Sequence, residues 1–343
     1  MTAANPGHIR TVLGDRAGIP DGVVYGHEHL IIDSPLIADR FPHIHLYDVD
    51  AATAEVSACR AAGAVLMIDA MPVCDGRDAV RLAEISRRTS VDIIAATGLH
   101  HDRYYGPLHW TNRVGVDDLA SLFTADLLDG IDEFDYTGPI VRRTPHRAGI
   151  LKVATSGSTP DQRDRRNLDA VAESHRLTGA PILTHCEGGA GGAGQTEYLA
   201  DRGVHPSAII LSHVDKMRDL GYLADLASSG AMLELDQGLR EREHGLQSIT
   251  VRAIIALITE GYGGQVIVGT DGARRSLWSS LGGQPGLAWL ARELPPLLRQ
   301  AGLSPEDVRN VLHDNAVGAL RWRPVLSGHL HGQTPESRER PAP

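Results

Sequence analysis

Two habits of apolar residues alternate along the chain. Short runs with almost no polar interruption occupy residues 23–29 (VVYGHEH), 64–69 (AVLMID), 92–97 (DIIAAT) and 149–154 (GILKVA). Four more follow at 181–185 (PILTH), 208–213 (AIILSH), 232–235 (MLEL) and 265–269 (QVIVG). Runs of this kind are the pattern of parallel strands buried on both faces. Between them, apolar positions recur every three or four residues. Val49, Ala52, Val56 and Cys59 mark a helix over 48–62, and Val80, Leu82, Ala83 and Ile85 one over 78–88. Leu119, Leu122, Phe123 and Leu127 mark one over 116–128, and Leu168, Val171, Ala172 and His175 one over 164–178. Residues 249–260 and 305–320 repeat the spacing. Strand then helix, eight times within about 300 residues, favours an α/β chain closed into a (β/α)8 TIM barrel. An open doubly wound sheet is the runner-up, weakened because no G-x-G-x-x-G follows the first strand.

One connection, 98–148, is longer than the rest. It holds a helix but also Tyr104, Tyr105, His109 and Trp110, and reads as a loop over one mouth of the barrel. Residues 321–343 have no period and are rich in Pro, Ser and charge. A single domain over 1–322 and a flexible, disordered C-terminal tail over 323–343 are therefore expected.

Composition narrows the choice of partners. Lys and Arg number 33 against 43 Asp and Glu, a net charge of −10, which argues against a surface made for nucleic acid. No apolar run reaches the roughly 20 residues that span a bilayer. The opening MTAANPGHIR lacks the basic flank and apolar stretch of a signal peptide, so neither a membrane partner nor export is expected. Three cysteines cannot all pair, which points to a reducing, cytoplasmic location. The unusual count is 17 His.

Where those histidines fall is informative. His27 and His29 close the first strand in GHEH. Residues two apart in an extended strand point the same way, so H-x-H presents two imidazoles to one ion of the Zn2+ type. The fifth strand ends in His185 and the sixth in His213, while QVIVGTD delivers Asp271 just past the eighth. Barrel enzymes keep their active sites at these C-terminal strand ends. One histidine at a strand end is more often structural than a ligand. Four of them with an aspartate, all on one rim, are much harder to produce by accident. The other H-x-H, His43 and His45, lies in a loop where nothing else converges, and His329 and His331 lie in the tail. Neither pair is expected to hold a metal.

Lys152 sits in the middle of the apolar run GILKVA. A lone buried ammonium is costly, so either its pKa falls toward neutrality or a partner exists. A neutral amine can add CO2 to become a carbamate, an anionic ligand able to bridge two cations. The plainer alternative is an ion pair with an Asp inside the barrel; beside the five other groups, the bridge is favoured. Cys186 has Glu187 rather than a cation as its nearest charge and reads as a buried structural thiol.

Taken together, GHEHL, GILKVATSG, PILTHCEGG with Gly194 and Gln195 after it, ILSHVDKMRDLGYL and the strand-eight aspartate resemble the phosphotriesterase family of the amidohydrolase superfamily. Gly76, Arg77 and Asp78, and the run Ala95–Leu99, also match that family's second and third strands. The resemblance spans most of the chain, and its six-ligand set is a specific signature. It implies a binuclear centre with His27, His29 and Asp271 on one divalent ion and His185 and His213 on the other. Carboxylated Lys152 and a hydroxide would bridge the two, with Zn2+ first and Mn2+ or Co2+ also suited to these ligands. Paired cations acidify a bridging water and stabilise the developing oxyanion, and Asp271 acts as general base. Barrels of this family often pair, which leaves a homodimer open.

After the eighth strand the chain reads GARRSLW and then GGQPG. That is similar to the branch acting on sugar lactones, some phosphorylated, rather than to organophosphate degraders. The guanidiniums of Arg274 and Arg275 suit phosphate or carboxylate, and Lys216 and Arg218 add positive charge at the same mouth. The plainer reading pairs one of the two arginines with a loop carboxylate. His100 and His101 stand where relatives more often carry aromatic pocket residues, and are candidate substrate contacts. Tyr104 is a further candidate contact, forming an apolar wall with Trp110. The charged segment 238–244 matches no version of the family. The expected activity is hydrolysis of a small lactone or ester. Its rivals are phosphotriester hydrolysis at the same centre and a non-catalytic metal- or sugar-binding barrel.

Overall fold

The apolar runs become eight parallel strands. An antiparallel hairpin, β1 (Ile9–Thr11) and β2 (Gly14–Arg16), comes first. Then follow β3 (Val23–Glu28), β4 (Ala64–Asp69), β5 (Asp92–Leu99), β6 (Ala148–Thr155), β7 (Ile182–Cys186), β8 (Ile209–Ser212), β9 (Met232–Leu235) and β10 (Val266–Val268). Each of the eight is hydrogen-bonded to the next in chain order, with β3 and β10 at the two ends. The His27 carbonyl accepts from the N–H of Thr270 at 3.3 Å and of Asp271 at 3.0 Å. Those bonds draw the ends together into a nearly closed barrel. The strictly sequential order excludes the doubly wound alternative, which needs a reversal of strand order. The structure, a computed structural model, describes residues 7–324, so the predicted tail from 325 onward, with His329 and His331, lies outside the described residues.

Helices Val49–Ala61, Ala79–Thr89, Val116–Leu128, Gln162–Thr178 and Ile249–Thr259 fall where the spacing predicts them. Local chemistry sets their ends. Asp78, Asp161 and Ser248 accept from the N–H of Arg81, Asp164 and Val251, satisfying donors that a helix start leaves open. Three more helices, Gly192–Ala200, Leu220–Ser228 and Trp289–Gln300, are not announced by the pattern. The first opens on Gly-Ala-Gly and the last contains Pro295 and Pro296, so packing against the barrel overrides weak propensity there. The run 305–320 is also not one α-helix. Pro305–Arg309 and Asn315–Ala319 flank a π-helical turn, Asn310–Asp314.

The barrel interior is apolar at its base. Val24, Leu66, Ile94, Ile150, Leu183, Ile210, Met232 and Ile267 pack against one another there, with Ile9, Ala316 and Leu320 in the same cluster. A second layer fills the space between strands and helices. Polar groups therefore gather at the opposite, C-terminal mouth.

Two backbone features set that mouth. Register between β3 and β4 slips between Tyr25 and Glu28. Without the bulge, His27, an odd number of residues after Val24, would face away from the interior that Val24 occupies. Gly98 on β5 pairs with Lys152 on β6. A Cβ at Gly98 would stand 1.9 Å from the Lys152 carbonyl oxygen, and its φ is +124°, so only glycine lets the strands approach. Among the described residues no helix is long and apolar enough to cross a membrane. Cys59, Cys74 and Cys186 are all free and buried.

Candidate active site

Five side chains singled out at strand ends and Lys152, singled out within a strand, meet above the apolar base. β3 and its end supply His27 and His29, β6 supplies Lys152 and β7 supplies His185, while His213 follows β8 and Asp271 follows β10. Ring centroids lie 4.6 Å apart for His27 and His213, 4.5 Å for His185 and His213, and 5.3 Å for His27 and His29. His29 Nε2 is 3.3 Å from Asp271 Oδ1, and Lys152 Nζ is 3.5 Å from His27 Nε2. His213 and Asp271 have positive φ, 67° and 44°, a costly backbone state that structures tolerate mainly at functional positions.

Three of the four imidazoles have one nitrogen anchored on a residue outside the six. Ser212 Oγ lies 3.1 Å from His27 Nδ1, Glu187 Oε2 lies 2.9 Å from His185 Nε2, and Asp236 holds His213 Nδ1. His29 Nδ1 is buried with no partner. Burial, joined by neighbouring cationic groups, holds the pKa of His27 and His185 well below the ordinary imidazole range; burial lowers His213 too. These rings are neutral and have lone pairs to give. Neutral imidazoles oriented by anchored partners, with a carboxylate beside them, are a donor set that fits divalent cations. Ligand atoms of His27, His29 and Asp271 lie within 4.8 Å of one another. So do those of two further groups: His27, His213, Glu234 and Asp236, and His101, His185 and Glu187.

Lys152 is fully buried, and among the described residues no carboxylate oxygen comes within 4.0 Å of its Nζ. The ion pair that the sequence left open does not form. Burial brings the amine down to about 8, against the pull of Asp271, Glu234 and Asp236. Asp271 shows the opposite balance. Burial works to raise its pKa, yet Arg240 and His213 hold it well below the usual carboxylate range. Arg240 Nη2 donates to Asp271 Oδ2 at 3.1 Å and to the Asp271 carbonyl at 2.6 Å. Lys216 Nζ lies 3.7 Å from the same Oδ2.

A cavity of about 460 Å³ opens over these groups. Its wall combines Ile32, Ile37, Phe41, Ile44 and Met71 with the cations Arg103, Lys216, Arg240 and Arg274. Tyr104 and His100 line it as well, Tyr104 with its ring centroid 5.3 Å from Phe41 and 4.7 Å from His100. Arg274 is exposed, and its side chain makes no hydrogen bond or ion pair among the described residues.

Several expected contacts lie elsewhere. Arg275 donates to the His45 carbonyl at 2.8 Å and stacks over Tyr47, outside the cavity wall. His101 sits behind that wall, its Nε2 3.0 Å from Glu187 Oε2. Trp110 packs toward Tyr136 and not beside Tyr104, and Arg218 is bound to Glu241. The loop histidines divide: His43 reaches the cavity wall, whereas His45 Nε2 lies 2.8 Å from Asp33. Cys186 is buried, with its thiol pushed up to about 12 by that burial, as a structural thiol should be. Four residues near the centre carried no signal of their own in the sequence. Arg240 comes from the unassigned charged segment, Glu187 follows His185 by two residues, and Glu234 and Asp236 lie within and just after the run 232–235.

The model of the phosphotriesterase family matches residues 7–320. A phospho-furanose lactonase from Mycoplasmopsis agalactiae is 29% identical over 315 residues, 90% of this chain and 89% of that protein. A phospho-furanose lactonase from Mycoplasmopsis synoviae is 27% identical over 322 residues, 91% of each. The crystal structure of an amidohydrolase from Mycoplasma synoviae superposes with a TM-score of 0.88 at 26% identity, covering 93% of both chains.

Proposed function

The chain belongs to the phosphotriesterase family, and we propose that it is a metal-dependent hydrolase that opens the ring of a small sugar lactone carrying an anionic group. The observation that carries this reading is Lys152, buried without a counter-ion among four imidazoles and an ionised aspartate. Burial lowers the cost of deprotonating it, and in its neutral form the amine can bond the carbon of CO2 and shed a proton, leaving an anionic carbamate. With that group, His27, His29 and Asp271 would hold one divalent cation, and His185 and His213 a second, zinc being the first choice. Such ions supply Lewis-acid polarisation of the ester carbonyl and a more acidic water.

The remaining work falls to the chain itself. Asp271, held ionised by Arg240 and His213, accepts the proton of the attacking water at Oδ2 and can return it to the leaving ring oxygen. The apolar wall of Ile32, Ile37 and Phe41 packs the body of the ligand and keeps out bulk water. Arg274 stands free to grip an anionic arm, and guanidinium suits phosphate or carboxylate geometry. Both relatives named above are phospho-furanose lactonases, which favours phosphate.

Metal-loaded protein assayed against phosphorylated furanose lactones, their unphosphorylated counterparts and phosphotriesters tests the reading. The phosphorylated lactones should turn over fastest. A preference of several orders of magnitude for phosphotriesters over every lactone would overturn it, and no turnover at all would leave a binding barrel. Elemental analysis of Lys152→Ala should find at most one metal ion per chain, partly restored by short carboxylic acids. A retained pair of ions would remove the bridging role.

A further inference from the structure

Asp75, in the turn after β4, is the one buried carboxyl group on the cavity wall that no described residue satisfies. It is 1% exposed and lines the cavity. Its Oδ1 is sealed from solvent without a hydrogen-bond partner, and among the described residues no donor reaches its other oxygen either. The turn is held firmly from beneath. Arg77, itself buried, donates to Asp126 at 2.7 Å, to Asp135 at 2.8 Å and to the Ala96 carbonyl at 2.7 Å. The Gly76 carbonyl accepts from Asp33 N–H at 2.8 Å. The backbone therefore gives Asp75 little freedom to seek a protein partner.

An unsatisfied buried carboxyl is expensive, and proteins retain one mainly where something outside the chain completes it. The cavity wall says what that something is. Arg103, Lys216, Arg240 and Arg274 outnumber the other two carboxylates there, Glu187 and Asp271, and Arg274 is unpaired among the described residues, so a cationic ligand group finds no net attraction on this wall. An anionic group would gravitate to those cations and not to a carboxyl. Burial, with Asp135 adding to it, holds the Asp75 carboxyl protonated well above the usual carboxylate range. A neutral carboxylic acid both donates and accepts, and the ligand group that does the same is a hydroxyl.

We infer that Asp75 forms a hydroxyl-reading subsite, bonding a ring hydroxyl of a polyhydroxylated substrate and selecting sugar lactones over alkyl lactones. The kind of ligand rests on the lactonase reading given above. A ligand lacking that hydroxyl would leave the Asp75 carboxyl without a partner, which is how a polar pocket rejects deoxy analogues.

The test compares a hydroxylated γ-lactone with its deoxy counterpart, both carrying the same anionic arm, on wild type, Asp75→Leu and Asp75→Asn. For the hydroxylated lactone, Asp75→Leu should raise KM by about 10- to 100-fold with kcat little changed. Asp75→Asn, of the same shape and still able to donate and accept, should recover most of that loss. The deoxy lactone should be handled alike by all three proteins. Parallel losses on both lactones, or none on either, would overturn the subsite. Calorimetric binding of the ring-opened sugar acid and its deoxy form to the same metal-loaded proteins gives an activity-independent readout. If no lactone is opened but wild type still prefers the hydroxylated acid and Asp75→Leu does not, the subsite stands and the lactonase reading falls. If lactones are opened with no regard to the hydroxyl, the reverse holds.

Discussion

Among single residues, the pairings separate the tasks. Arg240 and Lys216 are committed to Asp271, and Arg103 to Glu187, which leaves Arg274 as the unpaired cation on the cavity wall among the described residues. Arg274→Ala should raise KM for a phosphorylated lactone by about 10-fold or more and leave the unphosphorylated one unchanged, as expected for a lost charge-assisted contact. Equal changes in steady-state kinetics on both would deny it that role. His27, His29, Lys152, His185, His213 and Asp271 could be picked out of the sequence because each combines an unusual residue type with a strand or strand end. Arg274 and Arg275 could not be told apart in the same way. Two neighbours in an irregular loop turn to different partners, and only tertiary contacts decide that one lines the cavity and the other binds the His45 carbonyl. Arg240 was hidden for a similar reason, since its reach to Asp271 depends on how two loops meet.

Among elements, strands were easier to read than helices. All eight runs of the barrel could be located because burial on both faces removes polar interruptions, whereas the bulge that turns His27 inward has no marker beyond Gly26. Helices Gly192–Ala200 and Trp289–Gln300 escaped because glycine and proline mask a face that packing nevertheless stabilises. The Gly98 contact with Lys152 makes a sharp prediction. Gly98→Ala puts a methyl against the neighbouring backbone in a left-handed conformation, and should cost about 3 kcal/mol or more of unfolding free energy in denaturant titrations.

The helix Gln162–Thr178 offers a pH test. His175 in its last turn is buried and lies 2.7 Å from the Ala180 carbonyl through Nδ1. Burial lowers its pKa despite that bond, which acts the other way. The unfolded chain, with an ordinary imidazole, binds the proton more readily, so the His175 contribution is whole above about pH 6.5 and shrinks below it. The stability gap between wild type and His175→Gln should therefore narrow from about pH 7.5 to about pH 5.5 when unfolding midpoints are compared. A constant gap would show that His175 does not titrate differently on folding.

On the scale of the whole molecule, the closing residues are tied to the opening ones at the barrel's base. Trp322 N–H donates to the His8 carbonyl at 2.9 Å, its indole Nε1 to the Gly149 carbonyl at 2.9 Å, and Arg10 stacks on its ring at 4.2 Å. Trp322→Ala should lower unfolding free energy by about 3–5 kcal/mol. Metal content should not change, because the candidate ligands stand at the other end of the barrel. A fall in bound metal at unchanged stability would contradict this division. The split between base and mouth was legible from strand ends alone, but the clasp beneath was not, since residues 321–323 carry no periodic signal.

One consequence follows from the seam where the ring of strands meets itself. His27 offers its ring to the centre and its carbonyl to Thr270 and Asp271, so the same residue belongs to the candidate site and fastens the first strand to the last. An insertion that slid either strand by one position would unseat the imidazole and undo the fastening together. New substrate preferences can therefore arise in the turns bearing Asp75, Tyr104 and Arg274, while this junction is left with almost no room to vary.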